Sequence, residues 1–322
     1  RQTGYIIPTM FDYAQLTQRQ DIHDRAVRMA EWEISVQMVN GAVQGGTVEN
    51  KATPAIFNTG QVIFGWLRAY EETGKERFVE AASKAGKFLI DNQEDDGSWR
   101  RNLSDFASSR MPFYTYNTRT AWALYLLGIT TEREVFRDAA LANIEFALTQ
   151  QNENGWFYNN CLNNPDQPIL HTLAYCIRGI LEVGILAGER SYVERAKSAA
   201  DAILSSIRTN GSLAGRFDSQ WRPAVDWSCL TGDAQSSIIY GRLYQVEQNQ
   251  KYLAAMKKIN AYLMNRQLLC PSKGNIHGGV CGSDPIHGEY GRFEILNWAV
   301  KFFMDALMLE QALDAKMDAA HP

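Results

Sequence analysis

At 322 residues, 45% hydrophobic and 21% charged, the chain has an ordinary globular balance; it is long for one plain core and short for two, unless the fold is a ring or barrel. Its 32 Lys and Arg against 36 Asp and Glu leave a net charge of −4, which excludes the basic surplus expected of a nucleic-acid or anionic-membrane binder. No apolar run reaches the roughly 18 residues of a membrane span, so a soluble chain is expected, either cytoplasmic or, since Arg1 stands where Met would, one whose leader has been removed. Cys161, Cys176, Cys229, Cys270 and Cys281 include no CxxC and suggest neither a zinc ribbon nor a disulfide framework; Cys270 and Cys281 flank one loop and are the pair an oxidising compartment would join.

In chain order, an isolated helix is expected from about Asp21 to Met38, followed by paired segments of helical periodicity. The first pair is FNTGQVIFGWLRAYEETG with KERFVEAASKAGKFLIDNQ, and the second YNTRTAWALYLLGITT with EREVFRDAALANIEFALTQQ. The third is LHTLAYCIRGILEVGILAG with ERSYVERAKSAADAILSSI, the fourth LTGDAQSSIIYGRLYQVEQ with NQKYLAAMKKINAYLMNRQ, and FEILNWAVKFFMDALMLE closes the series. The first member of each pair is apolar nearly all round and reads as a buried helix; the second is apolar on one face and reads as half-exposed. Gly74 and Gly188 fall where a helix C-cap is expected. Alternation of buried and exposed helices at a period of roughly 50–60 residues predicts an all-α fold, an α/α toroid or incomplete barrel of five to six helical hairpins in a single domain over residues 1–322. Long loops rich in Gly, Asn and aromatic residues precede the inner helices, and their end of the toroid is the expected site.

Gln93, Asp96, Gly97, Ser98 and Trp99 match the QW motif of squalene and hopene cyclases, and Gln151, Asn154, Gly155 and Trp156 echo it. The hairpin pattern resembles the wider α/α-toroid group, which includes terpene cyclases, prenyltransferase β subunits, six-hairpin glycosidases, polysaccharide lyases and glucuronyl C5-epimerases. No DxDD acid of the terpene cyclases occurs. Asp226 and Cys229 lack the third ligand of the prenyltransferase zinc site. The hairpin FNTGQVIFGWLRAYEETGKERFVEAASKAGKFL is more similar to the carbohydrate-active members. The resemblance implies an oligosaccharide or polysaccharide substrate, uronate-containing in one form; the charge balance speaks for no nucleic-acid partner, the His, Cys and acid spacings fit no defined metal motif, and no cofactor is expected. Its alternatives are a terpenoid cyclase or prenyltransferase-like enzyme and a non-catalytic sugar-binding protein of polysaccharide biosynthesis.

Aligned by their starts, the inner helices present Asn58, Thr59 and Gln61, then Asn117, Thr118 and Arg119, then His171 and Thr172, then Asp233 and Gln235, then Glu294 and Asn297. Helix N-capping would account for Asn58, Asn117 and Asp233. It does not account for Gln61, Arg119 or His171, and a ring of such groups would suit a sugar. In VDWSCLTGD, Asp226 and Asp233 lie about two turns apart if the helix begins at Asp226, a spacing for paired glycosidase carboxylates. The loop HGGVCGSDPIHGEYGR supplies His287, Glu289 and Tyr290 as candidate acids or bases and Arg292 for an anion; it is otherwise a plain glycine-rich surface loop. Catalytic candidates are therefore Asp226, Asp233, His287, Glu289, Tyr290 and His171. Binding candidates are Asn58, Gln61, Tyr116, Asn117, Arg119, Trp156, Trp227 and Arg292, the aromatic ones as stacking faces. Trp66, Trp122 and Trp298 fall inside apolar helices and are expected in the core. The QW stretch itself reads as a helix-ending turn whose tryptophan packs.

Overall fold

A computed structural model describes residues 2–46, 49, 51–103 and 111–320. The loops expected to precede the first and second inner helices lie partly outside these residues. The described helices are α1 Gln2–Thr17, α2 Gln20–Ser35, α3 Ile56–Thr73, α4 Glu76–Asp91, α5 Thr118–Thr130 and α6 Glu134–Thr149, followed by α7 Leu170–Ala187, α8 Arg190–Leu204, α9 Leu230–Glu247, α10 Gln250–Met264 and α11 Asn297–Ala320. One 3-10 turn, Thr115–Asn117, leads into α5. Two short strands, β1 Ser228–Cys229 and β2 Ser283–Asp284, pair antiparallel, Ser228 facing Asp284 and Cys229 facing Ser283.

The chain forms two compact units. Arg1–Asn152, Phe157–Asn163 and Arg178–Val193 make the first; Glu153–Trp156, Asn164–Ile177 and Glu194–Pro322 make the second.

In the first unit the opening helix is not isolated. Helix α2 ends at Ser35, short of the expected Met38, and it is preceded by α1, which packs on both α2 and α3. Pro8 inside α1 hid this helix, because a proline lacks the amide proton an interior turn needs. The α1–α3 contact is close. A Cβ on Gly65 would lie 2.3 Å from the Gly4 carbonyl oxygen, and one on Gly4 would lie 2.6 Å from Val62 Cα. Helix α3 is buried from Ile56 to Leu67, as its apolar circumference requires, and Trp66 donates its indole N–H to Ala30 O at 3.2 Å. Helix α4 buries one face only, through Phe78, Ala81, Ala82, Ala85, Phe88 and Leu89. Gly74 caps α3 in the left-handed conformation.

In the second unit α9 is buried from Leu230 to Gly241 and packs against α10 and α11. A polar string crosses that contact. Ser237 Oγ donates to Asn260 Oδ1 at 2.6 Å, and Asn260 Nδ2 donates to Glu310 Oε2 at 2.6 Å. Helix α7 is long and apolar enough to cross a membrane by length and composition, contrary to the reading of its sequence, but 78% of that stretch is buried inside the molecule. Its hydropathy is that of a core helix.

One turn recurs. After α4, Gln93 pairs with Trp99 across an isolated bridge, Gly97 N–H closes on Glu94 O, and Ser98 N–H donates to Asp96 Oδ1. Gln93 Nε2 donates both to Gly97 O at 2.9 Å and to Ala139 O of α6 at 2.8 Å, and Trp99 Nε1 returns to Leu89 O. Gly97 has φ +82°, and a Cβ there would meet Ala142 O of α6 at 2.2 Å. Only glycine allows both the positive φ and the close approach. The same construction follows α2, where Gln37 Nε2 donates to Gly41 O and to Ala81 O of α4, Ala42 N–H donates to Asn40 Oδ1, and a Cβ on Gly41 would meet Lys84 O at 2.3 Å. Asn154-Gly155 nests likewise on α8, and Asn210-Gly211 on α10. In the first unit the turns at Gly41 and Gly97 therefore each end one outer helix, α2 and α4, and lock it to the next, α4 and α6.

Candidate active site

The strongest assembly of functional groups lies in the second unit, at the starts of α7 and α9. A short backbone ladder builds it. Ile169 pairs with Arg216, Leu170 N–H donates to Gly215 O, and Gly215 N–H donates to Trp227 O. The residues before His171 are thereby tied to the 213–217 segment and to the approach to β1. The β1–β2 pair brings in the 276–295 loop, whose path is fixed further by Leu230 N–H to Gly282 O and by the Cys281–Ile295 bridge. That loop is thus not a loose surface excursion; Cys281 is buried within it.

His171, 6% exposed, sits among aromatic rings: Tyr175 at 4.3 Å, Tyr290 at 5.4 Å and Phe302 at 6.3 Å between centroids. The side-chain amide nitrogen of Gln235, on α9, hydrogen-bonds His171 Nδ1. With that amide donating, Nδ1 accepts, and the proton of the neutral ring rests on Nε2. Tyr290 is held at both ends. Its backbone N–H and C=O both bond Ser283 Oγ, and its hydroxyl oxygen accepts the Trp298 indole N–H at 2.8 Å.

Beside them stands Arg216, which the sequence reading did not single out. It is 6% exposed, donates to Gln167 O at 2.7 Å, and pairs through Nε with Glu289 Oε2 at 3.0 Å. Its guanidinium lies 5.9 Å from the Trp227 ring. Trp227 in turn is wedged between two glycines: a Cβ on Gly215 would meet its Cζ3 at 2.1 Å, and one on Gly288 would meet its Cγ at 3.0 Å. A buried arginine in a segment dense with glycine and tryptophan, GRFDSQW, was the available signal.

Other candidates fall elsewhere. Helix α9 begins at Leu230 with Cys229 as its cap, so Asp226 stays in the preceding loop, exposed, and the two-turn spacing with Asp233 does not arise. Asp233 is no cap either. It is wholly buried in the first turn, its Oδ1 accepting Leu213 N–H at 3.3 Å, and burial raises its pKa well above the usual carboxylate value. His287 and Arg292 are exposed, Arg292 lying over Phe293. Trp156, expected to face a ligand, is buried edge-on against Trp221 at 5.0 Å. Glu294 and Asn297 are exposed at the start of α11.

In the first unit the starts of α3 and α5 meet. Arg119, 3% exposed, donates through Nε to Gln61 Oε1 at 2.6 Å and lies 5.2 Å from the Phe64 ring and 5.4 Å from Trp122. Trp122, expected in the core, is only half-buried, and Arg178 lies over it at 5.0 Å; Trp298 is likewise half-buried, whereas Trp66 is fully enclosed. Tyr116 is buried, stacked on Tyr114 and edge-on to Phe57. Capping does not explain the asparagines: neither α3 nor α5 has a side-chain cap, and Asn58 Nδ2 donates instead to Gln44 O. Asn58 Oδ1, Gln61 Nε2 and Asn117 Oδ1 are buried and make no hydrogen bond among the described residues. Each such group costs about 1–3 kcal/mol until satisfied, and sugar hydroxyls could satisfy both donor and acceptors. All five cysteines are free thiols, Cys270 and Cys281 included. Among the described residues no group of three or more His, Cys, Asp or Glu is placed to hold a metal ion.

The fold is similar to that of solved sugar-processing proteins. An unsaturated glucuronyl hydrolase specific for heparin matches with a TM-score of 0.77 at 15% identity, over 98% of this chain and 86% of that one. The unsaturated glucuronyl hydrolase of Bacillus sp. GL1 matches at 0.74 and 14% identity, over 96% and 85%. The cellobiose 2-epimerase of Bacillus thermoamylovorans matches at 0.71 and 14% identity, over 95% and 86%. At these identities the likeness establishes the fold alone, an α/α toroid. No protein-family model and no curated protein sequence matches the chain.

Proposed function

We propose that the protein is a carbohydrate-active enzyme that moves a proton at the carboxylate-bearing ring carbon of a uronate in an oligosaccharide or polysaccharide. The observation that carries this reading is the pairing of His171 and Tyr290, each fixed by a second side chain, Gln235 and Trp298. Fixed orientation is what acid–base groups need, since proton transfer depends on hydrogen-bond reach. An indole N–H on the Tyr290 oxygen stabilises negative charge there. The tyrosinate oxygen therefore takes the proton, and His171 Nε2–H stands as the donor. If the bond from the adjacent carbon to its glycosidic oxygen breaks and that oxygen takes the His171 proton, the electron pair of the broken C–H bond forms a carbon–carbon double bond, and the reaction is an elimination. If His171 instead gives its proton to the ring carbon from the face opposite Tyr290, it is an epimerisation.

Three observations support this over the alternatives. Asp226 and Asp233, the pair a hydrolase would use, sit in opposite environments, one exposed and one sealed in the core. Gln235 bonds His171 directly, and Arg216, bridged to Ile169 two residues before it, pairs with Glu289 next to Tyr290; such polar groups suit a sugar better than a terpene. The solved proteins of the same fold include unsaturated glucuronyl hydrolases, a polysaccharide lyase and an epimerase, which supports a carbohydrate substrate over a terpene. The test is incubation with oligouronates, reading the ultraviolet absorbance of a conjugated unsaturated uronate and, in heavy water, deuterium at the ring carbon. Either signal should fall by about 10²–10⁴ in Tyr290→Phe and His171→Asn. New reducing ends with neither signal would establish a hydrolase and overturn the reading.

A further inference from the structure

The Arg216–Glu289 pair is unequal in a telling way. The arginine side chain is 7% exposed and the glutamate side chain 63%. A guanidinium that deep has lost most of its water and needs a carboxylate partner. Its place is fixed by the backbone bridge to Ile169 and by Gln167 O. Glu289, by contrast, rides on the 285–295 loop, between buried Gly288 and half-buried Tyr290, with its carboxylate out in solvent. One partner is built in and the other can leave.

We propose that Arg216, with the Trp227 face beside it, is a carboxylate-receiving subsite, and that Glu289 is its resting occupant, displaced when a ligand carboxylate arrives. This rests on the uronate reading above and names the residue that would read the acid. The chemistry fits. Arginine takes a carboxylate in two parallel hydrogen bonds, a geometry a lysine cannot offer. Glu289, drawn from the sequence as a candidate acid or base, is then not a catalytic residue at all but a competitor for the substrate's charge.

The two roles predict opposite signs for one substitution. A competitor's removal strengthens binding, whereas a catalytic acid's removal destroys turnover. With the carboxylate side of the pair in solvent, Glu289 holds the subsite closed only weakly, so Glu289→Gln should bind a trigalacturonate about two- to fivefold more tightly, with the gain in KM rather than kcat. Arg216→Gln should weaken that binding at least tenfold or so, and Arg216→Lys, which keeps the charge but loses the fork, should fall between. Isothermal calorimetry with trigalacturonate, cellotriose and inorganic sulfate separates the ligand classes. Stronger trigalacturonate binding in Glu289→Gln, with cellotriose unchanged in all variants, supports the subsite; an equal gain for sulfate reassigns it to anions in general and overturns the carboxylate assignment. Weaker binding in Glu289→Gln, or no change in Arg216→Gln with its circular dichroism intact, overturns it outright. With the titrations run in the Tyr290→Phe background, binding is read without turnover, so the subsite and the proposed reaction fail separately. Calorimetry that behaves as expected in a protein with no lyase or epimerase activity sinks only the reaction; activity abolished by Tyr290→Phe but indifferent to Arg216 and Glu289 sinks only the subsite.

Discussion

Asp233→Asn tests whether the fold keeps a carboxyl protonated at neutral pH. Asp233 is fully buried in the first turn of α9, with the Leu213 amide on Oδ1. Burial raises its pKa well above the ordinary 3.8, and the charge of Asp284 adds to the rise; the Leu213 N–H and the charge of Arg208 oppose it. A folded-state pKa above the unfolded one means that the native state holds its proton longer. Below the unfolded value both states are protonated, and the group adds no pH dependence. As the pH climbs, the unfolded chain ionises first, and stability falls by up to about 1.4 kcal/mol per pH unit until the raised pKa is passed. Asparagine keeps the acceptor and the volume but has no such proton to lose. The variant should therefore lie within about 1 kcal/mol of the native protein near pH 4 and gain on it steadily toward pH 7 or so. Urea unfolding of both proteins across that range reads the difference directly. A gap that stays flat, or a native protein that gains on the variant as the pH rises, refutes the protonated carboxyl. The same variant keeps its activity if Asp233 is structural and loses it if the carboxyl is the catalytic acid.

Gly97→Ala forces a side chain into φ +82° and against Ala142 O, and should cost at least about 2 kcal/mol in chemical denaturation; a loss below about 0.5 kcal/mol would show that α6 gives way freely. Gln93→Ala removes one bond that closes the turn and one that ties α4's end to α6 and should cost about 1–3 kcal/mol, with Gln37→Ala similar at the α2–α4 step. Thiol labelling of the native protein should modify Cys270 first, since the other four thiols are buried. Cys229, whose pKa burial pushes up to about 12, should react only on unfolding; rapid native labelling there would contradict the packing of β1.

Local regularity explains what could be read early. Pairing of an all-round apolar segment with a one-sided one identified α3 with α4 and α9 with α10, because burial on every face and burial on one face leave different periodicities. Glycine at Gly74 and in Asp96-Gly97 announced its turns, since a positive φ admits little else. Helix α1 escaped because Pro8 breaks the local rule while packing against α2 and α3 overrides it. The turns at Gly41 and Gly211 escaped because they lack the tryptophan that advertised the turn at Gly97.

The candidate site divides the same way. His171 and Tyr290 could be named from composition alone, as reactive types at a helix start and in a dense loop. Their partnership could not, because it joins positions 119 residues apart through Gln235, the β1–β2 pair and Ser283, and no local pattern encodes such a meeting. Nor could the sequence sort the acids. Asp226, Asp233 and Glu289 are three carboxylates in a row of candidates until depth separates them into one exposed, one sealed and one clasped by a buried arginine. Side-chain chemistry and helical period are properties of the chain and its near neighbours, and the sequence determined those; desolvation and charge pairing depend on what the distant chain brings alongside, and only the tertiary structure decided them.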